Sequence, residues 1–187
     1  EVTANINSGH ILLFIFRSLS LTVYFYAWEY FNFGLVNTWP QWLAWLFAFI
    51  AWDFCYYWSH RLHHYFSILW FVHRVHHEGE QFNLSLGLRN SWYSTLTSMP
   101  FFLFLAFAGI PLEIFVSISA IHYFIQFLNH SYFKSRIPLL EYVFITPAIH
   151  HIHHGKNEPY LHKNFGGTLI IWDKLFNTFQ VEKTEIP

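Results

Sequence analysis

Nine of the 14 histidines in this chain fall into short clusters at helical spacing: His60 and His64; His73, His76 and His77; His130; and His150, His153 and His154. A neutral imidazole is the commonest protein ligand for first-row transition metals. Residues three or four apart share a helix face, so the spacing predicts that each cluster converges on one point. Nine nitrogens exceed what one ion takes, which implies two ions. The single Cys55 and the lack of a carboxylate cluster exclude thiolate-rich and oxygen-rich sites and leave zinc, copper, iron or nickel. Four ligands would satisfy a structural zinc, so this surplus suits redox metals that activate oxygen and attack an unactivated C–H bond. A zinc protease needs His-Glu-x-x-His, and His77-Glu78-Gly79-Glu80-Gln81 lacks the second histidine.

The elements that carry these clusters are set by an unusual composition. The chain has 187 residues, 54% hydrophobic, 23% aromatic and 11% charged, against about 25% charged in an ordinary soluble domain. With a net charge of −1 and scattered basic residues, a nucleic-acid partner is not expected. A bilayer core takes about 20 helical residues. The expected fold is therefore all-α: a multi-pass transmembrane bundle of about four membrane helices, spanning residues 11–33, 39–58, 92–108 and 111–128, with a helical cap holding the histidines in 59–90 and 129–180. The length fits one domain over 1–187. The first residue is Glu1, no signal peptide is visible, and the N-terminus is expected to be truncated.

The region Trp92 to Leu128 would run about 55 Å as one helix, too long for one crossing, and Gly109-Ile110-Pro111 supplies the break. A hairpin there returns the chain to its starting side and leaves all the clusters on one face of the membrane. Arg61, Arg74, Arg89, Lys134, Arg136, Lys156, Lys163, Lys174 and Lys183 lie in the same polar segments, so the positive-inside rule puts that face in the cytoplasm. Within the boxes, His63 and His151 are turned away from their neighbours' face. Asp53 stands seven residues before His60, two turns up the same face, where it could orient that imidazole from behind or be solvated. Metal transport or haem ligation would favour polar residues or paired histidines inside the spans, and these clusters sit at their ends.

Four runs carry a specific resemblance: Tyr56-Tyr57-Trp58-Ser59-His60-Arg61; His73-Arg74-Val75-His76-His77; Thr146-Pro147 leading to His150-His151-Ile152-His153-His154-Gly155; and Lys163-Asn164-Phe165-Gly166-Gly167 through Ile171-Trp172-Asp173. Over about residues 50 to 180 the chain resembles the fatty acid hydroxylase and sterol desaturase superfamily, particularly the branch that includes alkylglycerol monooxygenase. The resemblance implies a membrane di-iron oxygenase. Such an enzyme uses dioxygen and supplied electrons to hydroxylate or desaturate a lipid: a sterol, fatty acyl chain, sphingolipid or ether lipid.

Carried over residue by residue, the implied iron ligands are His60, His64, His73, His76, His77, His130, His150, His153 and His154. Gln126 stands where a two-histidine middle box has its first histidine, and the amide would ligate weakly or hold a water. His122, one turn further back, is a candidate substitute. Ile149 occupies a position that is often histidine in this branch. His63, His151 and His162 are read as surface or supporting histidines, and Asn83 and Arg89 as supporting the site or a lipid headgroup. No flavin, nicotinamide or haem segment is present, so a reductase, a haem protein or a pterin must supply electrons, and zinc can replace iron in purified protein. The competing reading is a membrane metal-binding protein or zinc hydrolase without oxygenase activity.

Overall fold

A computed structural model describes residues 1–133 and 137–182; Lys134, Arg136 and Lys183, counted above among the basic residues, lie outside the described residues. The described residues are helical, with one isolated antiparallel bridge between Phe144 and Leu169. Helices α1 (Val2–Ile11) and α2 (Arg17–Phe31) run together through a π-helical stretch at Leu12–Phe16. This continuous helix begins nine residues before the expected span, because the apolar count ignores the helix-compatible polar residues ahead of it. Then come α3 (Gln41–Tyr65), α4 (Ser67–His77), α5 (Ser94–Ala108), α6 (Leu112–Asn129), α7 (Pro147–His153) and α8 (Ile171–Leu175).

The breaks follow from local chemistry. Pro40, with an extended backbone, leads into α3 just where a missing N–H costs nothing. A single extended residue, Phe66, ends α3 and starts α4, folding the two into a helical hairpin. Gly109 ends α5 with φ +94°, a left-handed conformation that a side chain would strain. The Ile110 N–H then donates back to the Leu105 carbonyl, and Pro111 starts α6. Helix α2 holds this turn from the side, with the Tyr24 hydroxyl on the Ile110 carbonyl at 2.8 Å and the Trp28 indole on the Gly109 carbonyl at 3.4 Å. Thr146 caps α7 by accepting from the Ile149 N–H, with Pro147 in the first turn.

The core lies among α2, α3, α5 and α6 and is built on Tyr24, Trp52, Leu105, Ile110, Phe115 and Ile118. Ala44, Ala48 and Ala51, small and buried on α3, let the neighbouring backbones approach. Among the described residues two helical stretches are long and apolar enough to cross a membrane, Val2–Phe31 and Leu112–Asn129; α5 is apolar but shorter. Helix α3 is not among them despite its 25 residues, since its apolar character comes largely from Trp and Tyr and its last turns are polar.

Candidate metal centre

The helical hairpin of α3 and α4 brings the first two histidine boxes face to face, and α7 closes over them from the far end of the chain. Nitrogens of His60, His64, His73, His77 and His153 gather within 4.8 Å of one another in one cluster, here cluster A. His76, His130, His150 and His154 do the same in cluster B. The clusters are adjacent, with the His77 and His154 rings stacked at 4.4 Å between centroids. The two triads do not each converge on one point. His73 and His77 go to A while His76 goes to B, and His150 and His154 go to B while His153 goes to A. At 100° per residue, positions i and i+4 are only 40° apart, whereas i+3 lies 100° from i+4 and faces the neighbouring cluster.

Within A, the Nε2 atoms of His60 and His73 are 3.1 Å apart, those of His73 and His77 3.2 Å, and those of His77 and His153 3.2 Å. Within B the spacings are 3.1 Å for His76 and His130, 3.0 Å for His130 and His150, and 3.2 Å for His150 and His154. Two nitrogens on one metal at about 2.05 Å are separated by about 2.9 Å at a right angle and about 3.4 Å at the tetrahedral angle. The observed distances fall between.

The ring nitrogens on the other side settle the charge. His76 Nδ1 donates to the Arg89 carbonyl at 2.9 Å and His130 Nδ1 to the Gln126 carbonyl at 2.7 Å. A carbonyl only accepts, so each ring carries its hydrogen on Nδ1 and turns a bare lone pair on Nε2 toward the other. His60 and His153 in cluster A are fixed the same way, by the carbonyls of Phe165 at 2.9 Å and Lys163 at 2.8 Å. Burial keeps these rings neutral, lowering His130 to about 3 and His76 and His153 to about 4, and holding His60 well below its ordinary value. Opposed lone pairs at 3.1 Å repel unless a cation stands between them. Both clusters could therefore hold a metal ion.

The surrounding residues divide differently from the sequence expectation. Asp53 is fully buried and does not touch His60: it accepts from the Thr168 and Leu169 amides at 2.9 and 3.0 Å and from the Trp172 indole at 2.9 Å. It shares the face of His60, but seven residues are about 10 Å along the axis. His122 is no substitute ligand. Its Nδ1 meets the Thr168 hydroxyl at 2.7 Å and Nε2 the Phe49 carbonyl at 3.2 Å, with the ring stacked on Trp52. His63 is buried, not superficial, bonded to the Ser59 carbonyl and to the Thr97 hydroxyl of α5. His151 packs against Phe82, and His162 is exposed. Ile149 belongs to a small apolar cluster with Ile145 and Ile170.

Asn83 caps the turn at Leu84–Leu88 by accepting from the Ser85 amide. Arg89 supports His76 through its backbone carbonyl, while its side chain ties Val75 to Asn5. Gln126 Nε2 and His64 Nε2 are buried side-chain atoms without a hydrogen-bond partner among the described residues. The Gln126 amide packs against Gly167, where an added Cβ would come within 3.0 Å of it and 2.7 Å of Tyr56. Asp173, the last residue of the Ile171-Trp172-Asp173 run, has a role that its place in the sequence does not announce. It is fully buried and accepts from the Phe165 and Gly166 amides and from the Thr178 hydroxyl. Burial raises its carboxyl group, and those three hydrogen bonds oppose the rise. The signal that could have found it was a lone acid in the apolar run Ile170-Ile171-Trp172, close after Gly166-Gly167.

A family model, that of the fatty acid hydroxylases, matches residues 45–178, the stretch that carries every one of these histidines. The chain belongs to the fatty acid hydroxylase family. Its relatives include alkylglycerol monooxygenase from Homo sapiens, 40% identical over 178 residues, covering 91% of this chain and 38% of the relative. The Danio rerio alkylglycerol monooxygenase is 38% identical over 170 residues, with the same coverage. Ornithine lipid hydroxylase OlsE from Rhizobium tropici is 31% identical over 148 residues, covering 76% of this chain and 44% of the relative. The chain thus spans less than half the length of these relatives. No solved structure matches it.

Proposed function

We propose that this family member is the metal-bearing part of a membrane di-iron oxygenase that inserts oxygen into a lipid C–H bond. The observation that carries the reading is the pair of clusters whose neutral imidazoles turn unprotonated Nε2 atoms toward one another while their Nδ1 hydrogens are held by carbonyls. His60, His64, His73, His77 and His153 would hold one ion, and His76, His130, His150 and His154 the other. Bound iron would supply the redox chemistry that zinc lacks. The balance is one lipid C–H, one dioxygen, two electrons and two protons giving one alcohol and one water, so an external reductase, haem protein or pterin is required.

The protein's own share is positional. The carbonyls of Arg89, Gln126, Lys163 and Phe165 fix ring orientation and tautomer, which raises ligand basicity. Burial of His60, His76, His130, His150 and His153 keeps water from the ligand nitrogens. Cluster B offers four imidazoles against five in cluster A, so it would leave more positions open on a bound ion, and Gln126 stands one helical turn before His130. Four membrane spans with the histidines on the cytoplasmic side complete the reading, supported by the α5–α6 hairpin and the basic residues of the cap. The alkylglycerol and ornithine lipid relatives favour a polar lipid as substrate and hydroxylation over desaturation.

Iron-loaded protein, a chemical reductant, membrane lipid extract and ¹⁸O-dioxygen together test this. One labelled oxygen atom should appear in a lipid product, and the product should vanish when zinc replaces iron. Undiminished turnover with zinc alone would sink the oxygenase reading.

A further inference from the structure

Between the last histidine box and α8, residues 165–169 pack along α3 from Asp53 to His60, and two aspartates take four of the five backbone amides of that segment. Asp173 accepts from Phe165 N at 2.8 Å and Gly166 N at 2.7 Å, and Asp53 from Thr168 N at 2.9 Å and Leu169 N at 3.0 Å. Both side chains are fully buried. The two are not equivalent. The Gly166 N–H and the Phe165 carbonyl belong to one trans peptide group and point in opposite directions. One end of that peptide donates to Asp173 and the other accepts from His60 Nδ1 at 2.9 Å.

We propose that Asp173 is a positioning residue for cluster A, acting on His60 through the 165–166 peptide. It serves as the carboxylate of a carboxylate–peptide–imidazole relay. An anion on the N–H side polarises the peptide and strengthens the carbonyl as an acceptor. That strengthens the Nδ1–H bond of His60 and makes its Nε2 the better donor toward a metal. Both Asp173 oxygens accept, Oδ1 from Phe165 N and the Thr178 hydroxyl and Oδ2 from Gly166 N, and each of these hydrogen bonds favours the ionised carboxylate. The Thr178 hydroxyl is itself within 2.9 Å of the Tyr57 hydroxyl, which accepts from Arg61 at 3.0 Å, so the carboxylate is also steadied from the cationic side.

Of the four carbonyls that hold a ligand ring, only that of Phe165 has a carboxylate on the amide of its own peptide among the described residues. The amide following the Lys163 carbonyl, that of Asn164, donates to the neutral Thr178 carbonyl, and the Gln126 carbonyl lies within α6. Cluster A is therefore tuned by a charge that cluster B does not feel through its backbone. The inference rests on the two-metal reading above, and its test separates the two.

Asp173→Asn, Asp53→Asn and Thr178→Val are compared with the unaltered holoprotein, loaded with ⁵⁷Fe and read by Mössbauer spectroscopy and by iron per protein against graded chelator. In Asp173→Asn one of the two iron signals should shift, and that iron should be lost at about 10–100-fold lower chelator strength while the other is unchanged. Thr178→Val should shift the same signal less. Asp53→Asn removes the other carboxyl group bound to this segment, at peptides whose carbonyls hold no ligand ring, so it should lower the melting temperature and leave both iron signals in place. Loss of both irons together in Asp173→Asn, no change in either, or an Asp53→Asn variant that depletes the same iron equally would overturn the relay. Should Asp173→Asn fail to fold, Thr178→Val decides alone by whether a single signal moves. An unaltered protein that never holds two irons would instead refute the two-metal reading, whatever Asp173 does.

Discussion

Alanine at His73 and alanine at His76 sit three residues apart on one helix, yet they strip different clusters, and pairing them with substitutions on α7 makes the division measurable. His73 and His153 belong to cluster A, His76 and His154 to cluster B. Removing even a group behind a ligand costs about 10–100-fold in metal affinity, so a missing imidazole costs at least about 1.4–2.8 kcal/mol at its own ion. Cluster A retains four imidazoles after one loss and cluster B three, so His76→Ala and His154→Ala release their ion at lower chelator strength than His73→Ala and His153→Ala. On the two-metal proposal each single variant should hold about one ion against two in the unaltered protein. The double variant His73→Ala/His153→Ala damages one cluster twice and still holds one. His73→Ala/His76→Ala damages both and holds none, although its two substitutions share a helix. Metal per protein after dialysis against graded chelator reads all six. If His73→Ala/His76→Ala keeps one ion while His73→Ala/His153→Ala keeps none, each box serves its own ion and the assignment is refuted.

The remaining expectations concern charge, folding and topology. Histidine takes its proton near pH 6.5 in the unfolded chain, but burial holds His76 and His153 at about 4 and His130 at about 3. Between those values the unfolded state binds more protons, so the stability of metal-stripped protein is flat above about pH 6.5 and falls as pH drops toward about 4. A melting temperature unchanged down to about pH 4.5 contradicts neutral burial. His63→Ala keeps both ions but loses the α3–α5 bond to Thr97, at a cost of about 1–3 kcal/mol in a denaturant titration; loss of an ion there means the ring does more than join helices. Cysteines introduced by Glu78→Cys and Lys156→Cys label from the same side of the membrane, and labelling from opposite sides breaks the α5–α6 hairpin argument.

The histidine positions, the helical class and the family were legible because they rest on residue type and spacing, which survive folding unchanged. What the spacing could not carry was the partition between clusters, although the angles already implied it: i+3 and i+4 differ by 100°, and one shared face is too coarse a description once two centres lie side by side. Asp53 failed on axial distance instead of angle. Its carboxylate shares the face of His60 but meets first the backbone of residues 168 and 169, which approach from the far end of the chain. His122 failed because Thr168 and Phe49, both remote in sequence, occupy its nitrogens. The carbonyls of Arg89, Lys163 and Phe165 leave no trace in side-chain identity at all, since any residue supplies one; only the chain path places them.

The two triads are used in opposite senses, and this constrains how the centre can move. Helix α4 gives two histidines to cluster A and one to B, while α7 with its C-cap His154 gives two to B and one to A. A shift of either helix disturbs both clusters together, so neither can relax alone through those elements. Independent adjustment is left to the parts that serve a single cluster: α3 with His60 and His64 and the 163–165 segment for A, His130 at the end of α6 and the Arg89 carbonyl for B. His130 sits at the C-terminal end of α6, one turn beyond Gln126, on a helix apolar and long enough to cross a membrane. A displacement of α6 therefore acts on cluster B first, the cluster with fewer imidazoles.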